Sequence, residues 1–244
     1  MSAARGLLSV SRRSRSRRRS RRLNIEALEP RCLLAVLAVN SLDDLGDKDL
    51  NDGVATDVNG NTTLRAAIEH INVIGGSHQI VFSVPGTIAV STGLPDILPT
   101  VAIDGSVSGS RIELTRATAS TAAVGLRLAG PGSQVRSMVI NSFGLAVELA
   151  AGSDGSKIEG NHLGVSSDGT TASGGGVFVV SSNNDIGLAA DASRNIVSSI
   201  SVIGSDNRVK NNYVGLRADG LQALTNIATY ATGISVGDGA NNVI

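Results

Sequence analysis

The chain has no tryptophan, and its three phenylalanines and two tyrosines leave aromatics at 2% of 244 residues. That scarcity excludes a core built on large rings and points to stacked small and branched side chains. A single cysteine, Cys32, excludes an intrachain disulfide framework and a cysteine-rich zinc site. The apolar stretch LLAVLAV, Leu33 to Val39, is too short to span a bilayer as a mature helix. What is abundant is glycine, 29 residues, with much alanine, serine, valine and asparagine, which favours many short strands over long helices. The length allows one elongated domain, or two small globular ones, behind a leader.

The formal net charge of zero hides a split. Residues 1–31 hold ten arginines against Glu26 and Glu29, about +8, which leaves 21 − 10 = 11 basic against 21 − 2 = 19 acidic residues, about −8, in the remainder. The run SRRSRSRRRSRR, Ser11 to Arg22, has no apolar face to offset ordering entropy and is expected to be a solvated arm. Such an arm serves either as the positive start of an export signal or as a phosphate-binding tail. The apolar stretch that follows, with small residues at Ala35 and Ala38, favours export and a mature N-terminus between Ala35 and Asn40. The acidic remainder repels nucleic acid, so no nucleic-acid partner is expected.

The segment LNIEALEPRCLLA, Leu23 to Ala35, resembles the LEPR-XLL segment at the N-termini of large exported proteins of planctomycete bacteria. The matching positions are Leu28, Glu29, Pro30, Arg31, Leu33 and Leu34, with Cys32 at the variable place. The resemblance implies a secreted or surface destination. Glu29, Pro30 and Arg31 are not the small or apolar residues that a lipoprotein cysteine requires before it.

Val39 to Asp57 is rich in Asp, Asn and Gly, as expected of a solvated loop. Thr62 or Thr63 then caps a short helix, TLRAAIEHIN, whose Leu64, Ala67, Ile68 and Ile71 form one apolar stripe, and Gly75 and Gly76 end it. QIVFSV, TIAVS and TVAID follow as strands separated by Pro85-Gly86, Gly93 to Pro95 and Pro99. A helix across the open end of a strand stack is expected, because an uncovered edge invites pairing with other chains. Leu64, Arg65, Ala67, Ile68 and Asn72, continuing through Ile80 to Ser106, resemble the CSLREA domain that precedes β-helix repeats in bacterial surface proteins. Thr62 and Ala55 stand where that family usually has two cysteines, so a bridge worth about 2–3 kcal/mol is replaced as a pair. Arg65 is expected to tie the helix to a carboxylate or to strand-end carbonyls.

From Ser106 onward the chain repeats. KIEGNHLGVSSDG from Lys157 aligns with RVKNNYVGLRADG from Arg208, pairing Asn161 with Asn212, Gly164 with Gly215, Asp168 with Asp219 and Gly169 with Gly220, a displacement of 208 − 157 = 51. Val135 to Ile158 and Ile186 to Val209 each span 23, so 51 divides into two coils of 23 and an insertion of five. Coils of that length suit a parallel β-helix with strands stacked ~4.8 Å apart. Asn161, Asn183, Asn184, Asn195, Asn211, Asn212, Asn241 and Asn242 suit amide ladders and left-handed turns. The segments resemble the repeats of probable polymorphic outer membrane proteins. Ile158, Val209, Val177, Val179, Ile234 and Val236 are expected in one apolar column.

The expected fold is thus all-β, a right-handed parallel β-helix of pectin-lyase type with a short capping helix: a leader at 1–39, a cap with first strands at 40–105, and coils at 106–244. The end at GANNVI falls inside a coil, giving the expectation of a truncated chain that self-associates through its C-terminal end. The same fold hosts lyases and hydrolases that cleave polysaccharides, which need Ca²⁺-binding carboxylates or paired acids. Asp154, Glu159, Asp168, Asp185, Asp191, Asp206, Asp219 and Asp238 mostly stand beside Gly, Ser or Asn, where turn formation accounts for them. Asp168 and Asp219, one repeat apart, are the weak Ca²⁺ candidates. His162 aligns with Tyr213 and reads as a surface turn residue. No catalytic residue and no cofactor are expected. The expectation is a non-catalytic structural or adhesive protein of the cell surface, outer membrane or extracellular space, with an unknown surface or matrix ligand. A polysaccharide-cleaving enzyme and a nucleic-acid-associated protein acting through the Arg/Ser tail are the alternatives.

Overall fold

The structure is a computed structural model and describes residues 35–118, 120–188, 193–226 and 233–244, all within the compact unit Cys32–Ile244. Cys32 and the LEPR-XLL positions Leu28, Glu29, Pro30, Arg31, Leu33 and Leu34 lie outside the described residues, as does Asp191.

The described chain is mostly β-strand with one helix, and its strands form three parallel sheets. The first sheet runs, in spatial order, through Ala35–Val39, Ser77–Phe82, Thr100–Asp104, Gln134–Arg136, Lys157–Glu159, Asp185–Ile186 and Arg208–Val209. The second runs through Thr87–Val90, Ser110–Arg116, Met138–Ile140, His162–Leu163, Ile196–Val197 and Tyr213–Val214. The third runs through Ser120–Leu128, Phe143–Leu149, Val177–Val179, Ser199–Val202 and Gly233–Val236. From Gln134 onward the chain visits first, second and third sheet in unbroken rotation.

Alternation along each strand turns one set of side chains inward, and parallel register stacks these sets into rows. In the first sheet the inner row is Leu37, Ile80, Ile103, Val135, Ile158, Ile186 and Val209, all buried. It shares one core with Leu114, Ile140, Leu163 and Val197 of the second sheet and with Leu126, Val147, Val177 and Ile200 of the third. Full burial of each such side chain contributes about 1.5–3 kcal/mol. Lys157 pairs with Asp185 and Asp185 with Arg208, so the 51-residue repeat is 28 + 23 in this sheet, the five extra residues falling in the first of the two coils.

Two expectations need correction. Ile234 and Val236 are in register with Ile200 and Val202 yet are 39% and 45% exposed. Their strand is last in the order of the third sheet, so no described strand covers its far side. Ala35–Val39, read as part of a leader, is a strand paired over five residues with His78–Phe82, and Leu37 and Val39 are buried in the core. A chain cut between Ala35 and Asn40 would lose it.

The one helix among the described residues, Leu64–Ile74, is capped by Thr63, whose Oγ1 accepts from Ala66 N at 3.0 Å, and it ends at Gly75. Leu64, Ala67, Ile68 and Ile71 are fully buried and join the core with Leu37 and Val39. Ala55 and Thr62, the two positions that stand for cysteines, line one cavity of about 410 Å³ beside His70.

Candidate functional site

The corners between sheets carry the polar chemistry of the interior. At one corner Asn161 Oδ1 accepts from Met138 N at 2.9 Å, while Asn161 N donates to Asn195 Oδ1 at 3.0 Å. Asn195 Nδ2 in turn donates to Ile158 O and to Asn212 Oδ1, both at 2.8 Å, and Asn212 Nδ2 donates to Ile186 O at 2.8 Å. Each amide thus satisfies buried backbone groups of its neighbouring coils, which would otherwise cost about 1–3 kcal/mol apiece. A second ladder runs through Ser133, Ser156, Asn184, Asn207 and Asn242, where each side-chain oxygen accepts the backbone N–H of the preceding residue in the row. Asn161 and Asn212, one repeat apart, therefore belong to one ladder with Asn195 between them. Gly164 and Gly215 turn the chain at φ 66° and 70°. A Cβ on Gly164 would lie 2.5 Å from Gly175 O, so glycine is required there.

On the outward face of the second sheet, the repeated turns form an outer layer. Val165 bridges Ala172 and Leu216 bridges Ala223, so each turn is a small hairpin, and Thr171 bridges Thr225 to join them. Val165, Ala172, Ile196 and Leu224, with Tyr213 against them, make a satellite core beneath. Gly169 sits over His162 and Gly220 over Tyr213, with an added Cβ 3.2 Å from the imidazole Cε1 and 2.5 Å from the phenol Cζ. His162 is therefore a buried strand residue, 7% exposed, and not a surface turn residue. Burial, then the positive charge of Arg111, holds its pKa below the ordinary value. Its Nδ1 lies 3.4 Å from Ser166 O, within the hairpin that covers it.

Asp168 and Asp219 are exposed at the hairpin tips. Asp168 Oδ1 accepts from Ser166 Oγ at 2.6 Å and from Thr170 N at 3.1 Å, and these bonds hold its pKa below the usual carboxylate value. Asp219 Oδ1 accepts from Leu221 N at 2.8 Å. Both carboxylates are engaged in their own turns, and among the described residues no group of three or more His, Cys, Asp or Glu converges to hold a metal. Other acids are paired across coils. Asp185 registers between Lys157 and Arg208 and takes Arg208 Nε at 2.5 Å, Glu159 accepts from Gln134, and Asp154 Oδ1 accepts from Ser182 N at 2.7 Å. Asp206 Oδ1 accepts from Asn241 Nδ2 at 3.1 Å. Arg65 makes both expected contacts: Nε to Asp44 Oδ1 at 2.9 Å, Nη1 to Gly93 O at 2.9 Å and Nη2 to Thr92 O at 3.1 Å.

Sequence reasoning missed Ser133 and Ser156, because the signal followed was asparagine alone. Their position 23 residues apart, 156 − 133, was available as a signal. No family model, curated protein or solved structure matches the chain.

Proposed function

We propose that the chain is an exported, non-catalytic protein of the bacterial surface whose body is a right-handed parallel β-helix, structural or adhesive in role. The rotation of the chain through three parallel sheets around one core is the observation that carries this reading, because it multiplies solvent-facing rows on which a partner can be held. The acids weighed as catalytic residues are bonded in turns or to cross-coil partners wherever their bonds are described. The Arg-rich segment and the likeness to LEPR-XLL and CSLREA sequences support export. In this reading leader removal falls before Ala35, since Ala35–Val39 is a core strand. Among the described residues no helix is long and apolar enough to cross a membrane.

The test is protease shaving of intact cells that express the chain with an internal epitope in an exposed turn, such as after Leu221. Loss of the epitope without cell lysis is the expected result. Full protection, with release only on lysis, overturns the reading. Cleavage of polygalacturonate that depends on Asp168 or Asp219 would favour the enzyme instead.

A further inference from the structure

Of the arginines on the described surface, Arg65, Arg127, Arg136 and Arg208 each face a carboxylate. Arg111 does not. Its Nε donates to Gly160 O at 3.3 Å, which orients the guanidinium, and its two Nη groups have no acceptor among the described residues. It lines a cavity of about 300 Å³ with Ser106, Gly109, Ser110 and Ser137. None of the three serine hydroxyls is bonded to another described residue. The wall is thus rich in donors and free of carboxylates, in a body whose formal charge outside residues 1–31 is 11 − 19 = −8.

The cavity is preformed by backbone geometry. Ser106 pairs with Arg111 and Val107 with Ser110 in an antiparallel hairpin attached to the second sheet, and Ser108 and Gly109 turn it at φ 48° and 78°. Gly105 seats that hairpin on the neighbouring corner, where a Cβ would lie 2.6 Å from Ser137 O. Three hydroxyls and a guanidinium oriented through Nε are therefore presented together without a segment having to close over them. Donors grouped in this way suit an anion with several oxygens, which takes a guanidinium in forked geometry and hydroxyls on its other atoms.

We infer that Ser106, Ser110, Arg111 and Ser137 bind an oxyanion group carried by an acidic polysaccharide, a sulfate ester or a uronate carboxylate. The polysaccharide as carrier rests on the surface reading; the anion site rests on the corner geometry alone. The bound anion neutralises Arg111, whose charge acts on His162. His162 is also subject to burial, to backbone bonds from Ser166 and Ser167, and to the charge of Asp168, none of which depends on the cavity.

That coupling supplies a test that the basic N-terminal arm does not mimic. The imidazole proton signals of the full chain are titrated by NMR from pH 8 to 5, with sodium sulfate and with sodium chloride of equal ionic strength. Sulfate is expected to raise the His162 pKa in a saturable way. Arg111→Gln is expected to abolish the sulfate response, and Ser110→Ala/Ser137→Ala to weaken sulfate by about tenfold while retaining Arg111. Dextran sulfate and polygalacturonate oligomers, tried separately, identify which oxyanion reproduces the response, and neutral dextran should do nothing. Equal effects of sulfate and chloride, a response that persists in Arg111→Gln, or a response to neutral dextran would each overturn the site. A sulfate response that neither polymer reproduces would overturn the polysaccharide as its carrier, whatever the shaving experiment shows.

Discussion

Residues 35–104 and residues 132–244 share one core but are cross-linked by different side chains. In the first region the reach is long and charged: Arg65 spans from the helix to Asp44, Thr92 and Gly93, and Asn72 joins Asp96 O to Leu98 N. In the second it is short and neutral, with asparagines and serines passing hydrogen bonds from coil to coil. The difference follows from repetition. Where backbone groups recur at ~4.8 Å, a side chain of Asn length meets the next coil without strain. A helix packed on the end of the sheets has no such recurrence, and its polar contacts fall at irregular distances that a guanidinium can cover. Charged pairs in the coil region lie instead on the outer face, where the Arg136 and Arg208 side chains are 48% and 60% exposed and solvent screens each pair.

The largest effect should come from the core row common to both regions. Leu37→Asp and Ile158→Asp each place an unpaired charge in that row and should cost roughly 4 kcal/mol or more in urea denaturation. Ile234→Asp, at a half-exposed end position, should cost under about 1 kcal/mol. A small loss for Leu37→Asp beside a large one for Ile158→Asp would separate the cap region from the shared core.

Next in size is the amide ladder. Asn195→Ala strands Asn161 N–H and removes the donor to Ile158 O, for an expected loss of about 2–3 kcal/mol that does not respond to salt. Arg65→Met should cost about 1–2 kcal/mol and expose the amides of residues 42–47 to hydrogen exchange, with Arg65→Lys recovering only part. If Asn195→Ala proved salt-sensitive, or Arg65→Lys matched the parent, the contrast between the two regions would fail.

The smallest effect is a pH dependence confined to the coil region. Burial and Arg111 lower the His162 pKa in the folded chain, so the unfolded chain binds the proton more readily. Stability from this residue is therefore complete above the ordinary histidine range, near ~6.5, and is lost as pH falls through it. His162→Phe should flatten the fall in Tm between pH 7 and pH 5. An unchanged slope would assign the acid sensitivity elsewhere.

The inner rows were legible in the sequence because branched residues at Val135, Ile158, Ile186 and Val209 recur with their coils, and the helix stripe because Leu64, Ala67, Ile68 and Ile71 keep helical spacing. The place of Ala35–Val39 was not legible. A short apolar run beside an arginine cluster has the same composition whether it leads export or closes a sheet, and only its register against His78–Phe82 decides its place in the fold. His162 was misread for a related reason: its cover comes from the hairpin that follows it, which local pattern assigns to solvent. The Arg111 cavity had no signal at all, because Ser106, Ser110 and Ser137 meet across two coils.

Within the three sheets, every pair of parallel partners is separated by between 213 − 196 = 17 and 78 − 35 = 43 residues. No strand waits for a partner synthesised much later. The molecule can therefore assemble in the order in which it is synthesised, each new strand settling on one already in place. Errors made on the way stay local, since a mispaired coil disturbs its two neighbours and leaves earlier ones intact.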